Sequence, residues 1–204
     1  MQKPMTGVRV LEVAQFTFVP SAGAVLADWG ADVIKIENPV TGDAQRGLVT
    51  VAGRSTTTPG VAFSPMVEAP NRGKRSVGLS LALNQSRPVF EELVRRSDVF
   101  LTNYLPQARA KLHIDLDDVR RINPSIVYVA GSGFGSQGPD RESGAHDATA
   151  FWARAGNADG VTPPDSAAPT GMPAAPSATT SGASPSRARW PRRCTAGRQL
   201  GRHR

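Results

Sequence analysis

The sequence predicts an α/β fold in which an open, mainly parallel sheet of about five strands carries helices on both faces. Short β-branched runs alternate with amphipathic segments, and their spacing suits helical crossovers, which join parallel strands. The chain has 204 residues, enough to bury a substantial core, and its 17 prolines and 20 glycines argue against a helical bundle. Every apolar run is shorter than the roughly 18 residues of a membrane-spanning helix. We therefore expect a protein that is not embedded in a membrane.

The amino-terminal part predicts a β-α-β unit. Residues 8–13 form a β-rich run, and a helix is expected to open at Pro20 and to end at Gly30, the usual place for a C-cap glycine. The predicted apolar face of this helix comprises Ala22, Val25, Leu26 and Trp29. Residues 32–37 form the next strand after a short turn, which is the spacing of a parallel crossover. The predicted topology is therefore Rossmann-like.

The rest of the sheet is predicted after a long loop. Residues 38–71 are rich in Gly, Pro, Ser and Thr and predict a loop with one helical turn at residues 63–67. Further strands are expected at residues 74–81, 98–101 and 126–130, the last of them buried, and helices at residues 84–96, 115–123 and 147–155. The helix at 84–96 is expected to place Val89, Phe90, Leu93 and Val94 on one face. In the last helix, Asp147 suits the N-cap or the first turn, and Gly156 marks the end.

The net charge of +7 lies entirely in the carboxyl-terminal segment. Residues 1–165 contain 17 basic and 17 acidic residues, whereas residues 166–204 contain seven arginines and no acid. This segment is dominated by Ala, Pro, Ser, Thr, Gly and Arg without a helical or strand period, so it is predicted to be a disordered tail. Because it matches no nucleic-acid-binding motif, only nonspecific, salt-sensitive attraction to anions is expected of it.

The remaining composition excludes several classes of site. A single cysteine, Cys194, rules out a disulfide framework and a cysteine-based zinc cluster. His113 and His203 lack partners at metal-ligand spacing, so no metal site is predicted. The start of the chain lacks the apolar region of a secretory signal, which favours a cytoplasmic protein.

Candidate ligand-binding residues lie where the predicted strands end, because open parallel sheets bind ligands at their carboxyl edge. Three segments qualify: residues 15–18, 103–106 and 131–135. The glycines of the third segment allow a ligand to approach the backbone, although an ordinary glycine-rich turn explains them equally well.

Two further clusters each allow two interpretations. Arg72, Lys74 and Arg75 could hold phosphates or could form a solvated edge. His146 beside Asp147 could act as a general base, or it could be a surface histidine next to a helix-capping acid.

Five blocks, in order, resemble the amino-terminal half of class III CoA-transferases. They are GVRVLEVAQF with LADWGADVIKIENPVTGDAQRG, then NRGKRSVGLSL, SDVFLTNYLPQARAKL, INPSIVYVAGSGFGSQGP and GAHDATAFWARAG. The resemblance covers about residues 5–160, and the same superfamily includes the alpha-methylacyl-CoA racemases. It implies that residues 1–165 form a Rossmann-like domain that binds coenzyme A, and that residues 166–204 form the tail.

The resemblance also implies substrates, an assembly and contact residues. The substrates would be an acyl-CoA and a small carboxylic acid, with no permanently bound cofactor, and the family forms an interlocked homodimer. That dimer is not expected of a chain without the family's second half. The implied coenzyme A contacts are Gln15, Thr17, Phe18, Asn38, Leu79, Ser80, Leu81, Ala82, Asn103, Tyr104, Leu105, Lys111 and His146. The family commonly has an arginine at the position of Asn38, so this contact departs from the family pattern.

The family's chemistry requires an aspartate that this sequence is expected to lack. Transferases of this class resemble enzymes that attack an acyl-CoA with the aspartate of a Gly-Asp pair, which lies downstream of the position of Gly156. No acidic residue follows Asp165, and Asp147 matches another block, so we expect a truncated, out-of-frame chain or, alternatively, a genuinely evolved basic tail. The other functions that remain open are a racemase that uses His146 and a non-catalytic coenzyme A-binding remnant.

Overall fold

A parallel five-stranded sheet forms the centre of the computed structural model, which describes residues 2–51, 54–57, 60 and 63–172. The strands are β1 (Arg9–Val13), β2 (Asp32–Glu37), β3 (Thr50–Val51), β4 (Arg54–Ser55), β5 (Arg75–Gly78), β6 (Val99–Thr102) and β7 (Val127–Ala130). The order across the sheet is β5-β2-β1-β6-β7, and every neighbouring pair is parallel. The short strands β3 and β4 form a separate antiparallel pair. The predicted open, parallel α/β fold is confirmed.

Six α-helices connect or follow the strands in the described residues. They are α1 (Phe18–Asp28), α2 (Pro65–Asn71), α3 (Arg87–Arg95), α4 (Pro106–Lys111), α5 (Leu116–Ile122) and α6 (Asn157–Val161). Short 3₁₀ turns precede α3 and occupy Ala44–Gly47, and a π-helical segment covers Asp147–Arg154. None of these helices combines the length and apolar character needed to cross a bilayer.

Alternation along the strands divides the core into two layers. On one face of the sheet, Val10 of β1 packs with Leu26 of α1, whereas on the other face Leu11 packs with Phe90 of α3 and Val119 of α5. Successive side chains of a strand point to opposite faces, so both faces of each central strand are buried. Helices therefore cover both faces of the sheet, as the sequence predicts.

The structure corrects the predicted faces of two helices. Helix α1 begins at Phe18 rather than Pro20, and it buries Val19, Pro20, Gly23, Ala24 and Leu26. Of the predicted face, Leu26 is buried and Ala22 and Val25 are half-buried, but Trp29 is 39% exposed and lies beyond the helix, at its C-cap. In α3, Phe90 and Val94 are buried as expected, but Val89 is 50% exposed.

Other differences from the predicted elements lie at connections and edges. The strand predicted as buried at residues 126–130 is β7, which lies at the edge of the sheet and is only half-buried. The loop predicted at residues 38–71 contains the β3–β4 pair and all of α2. Helix α4 was not predicted at all. The predicted tail at 166–204 falls largely on residues 173–204, which lie outside the described residues.

Candidate functional site

The carboxyl ends of β1 and β6 meet at the point where the strand order reverses. From β1 the chain proceeds to β2 and β5 on one side, and then returns to β6 and β7 on the other. In open parallel sheets a crevice forms at such a switch point and binds ligands. The switch point therefore lies between the ends of β1 and β6.

Hydrogen bonds join the two strand ends directly. The backbone N–H of Gln15 donates to Asn103 Oδ1 at 2.9 Å, and Asn103 Nδ2 donates to the Gln15 carbonyl oxygen at 2.7 Å. The Gln15 side chain then donates to the Tyr104 hydroxyl at 3.0 Å. Partial burial raises the pKa of that hydroxyl against the opposing effect of the Gln15 hydrogen bond. Three predicted contact residues thus form one hydrogen-bonded unit.

A cleft of about 100 Å³ opens beside this unit, along the carboxyl ends of β1, β2 and β5. It is lined by Val13, Ile36, Glu37, Asn38, Leu79, Ser80, Leu81, Ala82, Tyr104 and Leu112. Six of these ten are predicted coenzyme A contacts: Asn38, Leu79, Ser80, Leu81, Ala82 and Tyr104. The lining is mainly apolar with a few polar groups, which suits an organic ring carrying polar substituents. A cleft of this size holds only part of a large ligand.

The other predicted contacts lie outside this cleft. Thr17 is buried, and its hydroxyl pairs with the Gln45 side chain. Phe18 begins α1 and packs on the first core layer. Leu105 is the exposed N-cap of α4, and Lys111 is exposed in the last turn of the same helix.

His146 lies in a different part of the chain from the cleft residues. It is exposed and precedes the π-helical segment, where its carbonyl oxygen accepts the backbone N–H groups of Thr149 and Ala150. Asp147 lies in the first turn of that segment, and Gly156 adopts a φ of +81° at its end. The positions expected for Asp147 and Gly156 in the last element are therefore confirmed, although the segment is π-helical.

Asn38 caps a tight turn at the mouth of the cleft. Its Oδ1 accepts the backbone N–H groups of Val40 at 2.9 Å and Thr41 at 3.1 Å. Its neighbour Glu37 pairs with Arg46 at 2.9 Å. Although partial burial acts to raise the pKa of Glu37, the hydrogen bonds from Arg46 and from the Asp43 backbone hold it below its ordinary value. The turn is thus fixed on the polar side of the cleft.

Four charged side chains form a buried group next to β1 and β2. Lys74 Nζ donates to both carboxylate oxygens of Glu12, at 2.8 and 2.7 Å. Lys35 lies opposite Glu12 in the strand register and pairs with Asp43 at 2.5 Å. All four side chains are at most 2% exposed. We call Glu12, Lys35, Asp43 and Lys74 the buried tetrad.

Burial shifts the pKa values of Glu12 and Lys74, one pair in the tetrad, towards neutral pH. Loss of water raises the pKa of Glu12 to about 7, although Lys74 and Lys35 act to lower it. The same loss lowers the pKa of Lys74 to about 8, although Glu12 acts to raise it. Desolvation disfavours each charged form, and the pairing offsets only part of that cost.

The three residues of the basic cluster pair with acidic side chains. Arg72 pairs with Asp28 and Arg75 pairs with Asp32, each at 2.6 Å. Lys74 is the buried partner of Glu12. All three basic side chains are therefore engaged by acids of the chain itself.

Packing within the chain explains two of the glycines after β7. A Cβ at Gly131 would lie 2.5 Å from Val19 Cγ2 and 2.8 Å from Phe18 Cε1. A Cβ at Gly133 would lie 1.9 Å from the Cβ of Ala145. These glycines allow the segment after β7 to pack closely against α1 and against residue 145.

The sequence interpretation missed Asp43 and Gln45, and it included Phe16 only as part of the candidate segment 15–18. Asp43 accepts the backbone N–H groups of Phe16 and Gln45, and Gln45 also donates to the Met66 carbonyl oxygen. One available signal was the charge of Glu12 within the run at 8–13 and of Lys35 within the run at 32–37. A charge in a strand that is buried on both faces requires a partner.

An open parallel sheet whose strand order reverses between β1 and β6 defines an α/β fold of the Rossmann type. The family model that matches the chain is that of CoA-transferase family III, over residues 5–184. The chain therefore belongs to CoA-transferase family III. The match continues past residue 165, where the domain boundary is predicted.

Two curated relatives illustrate the similarity. The chain is 37% identical to succinate–glutarate CoA-transferase of Agrobacterium fabrum over 146 residues, which cover 71% of this chain and 36% of the relative. It is 33% identical to cinnamoyl-CoA:phenyllactate CoA-transferase of Clostridium sporogenes, covering 74% of this chain and 36% of that protein. The chain thus spans about a third of the length of these relatives.

Solved structures agree with this assignment. A CAIB/BAIF family protein from Brucella suis superposes with a TM-score of 0.71 and 30% identity, covering 85% of this chain and 44% of that one. A hypothetical protein from Mycobacterium tuberculosis superposes with a TM-score of 0.69 and 34% identity, covering 84% of this chain and 45% of that one. The fold described here therefore corresponds to less than half of each solved chain.

Proposed function

We propose that the chain binds coenzyme A and its thioesters in the cleft beside the switch point. We further propose that the activity it serves is the transfer of coenzyme A between an acyl-CoA and a small carboxylic acid. The observation that carries this proposal is the cleft itself, where six of the residues implied as contacts by the family resemblance come together. The names of the relatives support transfer over racemisation, because both describe CoA-transferases.

The chemistry of the cleft suits one end of such a ligand. Leu79 and Leu81 supply apolar surface for a flat ring, while Ser80 and Asn38 add polar groups at its edge. Tyr104 links the cleft to the switch point through Gln15. A long, flexible ligand anchored in the cleft can therefore continue along the strand ends.

A charge placed in the cleft tests this assignment. Ala82 lines the cleft and is exposed, so Ala82→Glu adds a carboxylate that repels the phosphates of coenzyme A without disturbing the core. We expect the Kd for coenzyme A, measured by calorimetry, to rise by about tenfold or more, which corresponds to about 1.4 kcal/mol.

Leu83→Glu provides the matched control. Leu83 is 49% exposed and is not among the residues that line the cleft. Because water weakens the effect of an exposed charge that does not contact the ligand, Leu83→Glu should raise the Kd clearly less than Ala82→Glu does. Equal effects of the two variants, or an unaltered chain that does not bind coenzyme A, would contradict the proposal.

We also propose that residues 166–204 do not supply the family's nucleophilic aspartate, because no acid follows Asp165 in this sequence. The chain by itself should then bind coenzyme A without transferring it between carboxylates. If the segment is out of frame, sequencing the coding DNA from about codon 155 should show a Gly-Asp pair and a helix-rich continuation in another frame. Turnover by this chain would contradict the proposed lack of a nucleophile, whereas the absence of such a continuation in every frame would contradict only the out-of-frame origin of the segment.

A further inference from the structure

Phe16 has a strained backbone at the carboxyl end of β1. Its φ is +63°, and within the described ranges only His113 shares this left-handed conformation among the non-glycine residues. For a bulky aromatic residue such a conformation is strained, and strain of this kind concentrates at functional sites. The residue is also 45% exposed, although a large apolar residue normally gains by burial.

Three consecutive residues fix this conformation from different directions. The backbone of Gln15 is bonded to Asn103 after β6. The backbone N–H of Phe16 donates to Asp43 Oδ1 at 3.0 Å, and the side chain of Thr17 bonds Gln45. The surrounding structure therefore determines the backbone of Phe16, as persistent strain requires.

Asp43 can hold Phe16 because both of its carboxylate oxygens accept hydrogen bonds. Oδ1 accepts the N–H groups of Phe16 and Gln45, and Oδ2 accepts Lys35 Nζ at 2.5 Å. An asparagine has only one acceptor oxygen, so it could serve either the backbone donors or the lysine. The carboxylate is thus required at this position of the tetrad.

The position of Phe16 relates its ring to the cleft. Gln15 is the preceding residue, and it binds the hydroxyl of Tyr104, which lines the cleft. Phe16 follows Gln15 beyond the end of β1, and its backbone N–H is held by Asp43, which follows β2. A ligand that extends from the cleft past Tyr104 and Gln15 along the strand ends therefore reaches the position of Phe16.

We propose that Phe16 is a binding residue for the part of a CoA thioester beyond its nucleotide, namely the pantetheine arm and the acyl group. Asp43 is the positioning residue that keeps the ring in place. This inference rests on the proposed function and assigns the two ends of the ligand to different residues. An exposed aromatic ring offers apolar contact to an alkyl-amide arm at little entropic cost, because its backbone is already fixed.

A double-mutant cycle tests the link between the two residues. The variants are Asp43→Asn, Phe16→Gly and the combination, and the probes are coenzyme A and its nucleotide end, adenosine 3′,5′-bisphosphate. Asp43→Asn should weaken binding of coenzyme A about tenfold and binding of the nucleotide less than about twofold. In the Phe16→Gly background the same substitution should change coenzyme A binding less than about twofold, because glycine adopts a positive φ without strain and carries no ring.

Further variants separate binding from stability. Phe16→Gly alone should weaken the binding of coenzyme A but not of the nucleotide. Phe16→Tyr should retain the affinity for both probes because the ring persists. Asp28→Asn, which removes the charge of an exposed aspartate paired with Arg72, is the control for Asp43→Asn. If Asp43→Asn does not fold, the pair Phe16→Gly and Phe16→Tyr still tests the role of the ring.

The outcomes distinguish this inference from the proposed function. The inference would be overturned if Asp43→Asn weakened coenzyme A binding equally in the unaltered chain and in the Phe16→Gly background. It would also be overturned if Asp43→Asn weakened the binding of coenzyme A and of the nucleotide equally. A coenzyme A affinity that is the same in Phe16→Gly and in the unaltered chain, while the nucleotide still binds, would overturn it as well. Failure of the unaltered chain to bind either probe would overturn the proposed function itself.

Discussion

The Glu12 carboxylate shows how one residue can set the pH response of a domain. Glu12 is a fully buried residue of β1, and Lys74 Nζ donates hydrogen bonds to both of its carboxylate oxygens. Two desolvated charges gain from their attraction about what they lose in hydration, so such a pair is rarely a large source of stability. Its main consequence is a dependence of folding on protonation.

The raised pKa of Glu12 predicts a specific loss of stability with pH. The folded chain holds this proton up to a pKa of about 7, whereas the unfolded chain releases it near 4.5. The contribution is therefore fully present below pH 4.5 and is lost as the pH rises to 7. We expect the free energy of unfolding to fall relative to Glu12→Gln by up to about 1.4 kcal/mol per pH unit in this interval.

Denaturant titrations of both chains at several pH values measure this difference. In the unaltered chain the pKa of Lys74 is lowered to about 8 from 10.5, so its own contribution changes only between those values. Because Glu12 acts to raise the pKa of Lys74, the comparison is repeated in a Lys74→Met background, where residue 12 is the only member of the pair that titrates. Parallel stability profiles for the two chains between pH 4.5 and 7 would show that Glu12 does not titrate as described.

Among the elements, α1 depends on one glycine to approach the sheet. A Cβ at Gly23 would lie 1.9 Å from Glu12 Oε2 and 3.0 Å from Lys74 Nζ, both of which are held in the buried tetrad. Gly23→Ala should therefore lower the free energy of unfolding by about 1 to 3 kcal/mol, through overpacking.

A second glycine in a helix supplies the control for this change. A methyl group added at Gly160 in α6 would have no atom within 4 Å, so Gly160→Ala should leave stability unchanged or raise it slightly. Chemical denaturation measures both variants. A loss no larger for Gly23→Ala than for Gly160→Ala would mean that α1 does not pack on Glu12 as closely as the structure shows.

The strands were predictable from the sequence more accurately than the helices. Residues 32–37 match β2 at both ends, because a β-branched run buried on both faces leaves a strong signal. The face of α1 was predicted only in part, because a short apolar helix offers several plausible faces and only tertiary packing selects one. Helix α4 has six residues, too few to show a period.

For the molecule as a whole, the parallel topology was predictable from the sequence, whereas the buried tetrad beside the strand ends was not. The order of strands and helices follows from crossover lengths, and it brings Gln15 and Asn103 together from positions 88 residues apart. The tetrad joins four distant side chains, and their pairing depends on packing that no local pattern encodes. The role of Asp43 therefore became visible only in three dimensions.

The separation of the tetrad along the chain also bears on how the protein is made. Glu12 leaves the ribosome 62 residues before Lys74, the partner that holds both of its oxygens. Closing α1 over β1 and β2 at that stage would bury a carboxylate without its principal counter-charge, at a cost of several kcal/mol. The nascent amino-terminal unit is therefore expected to remain open until the segment that leads into β5 has been synthesised.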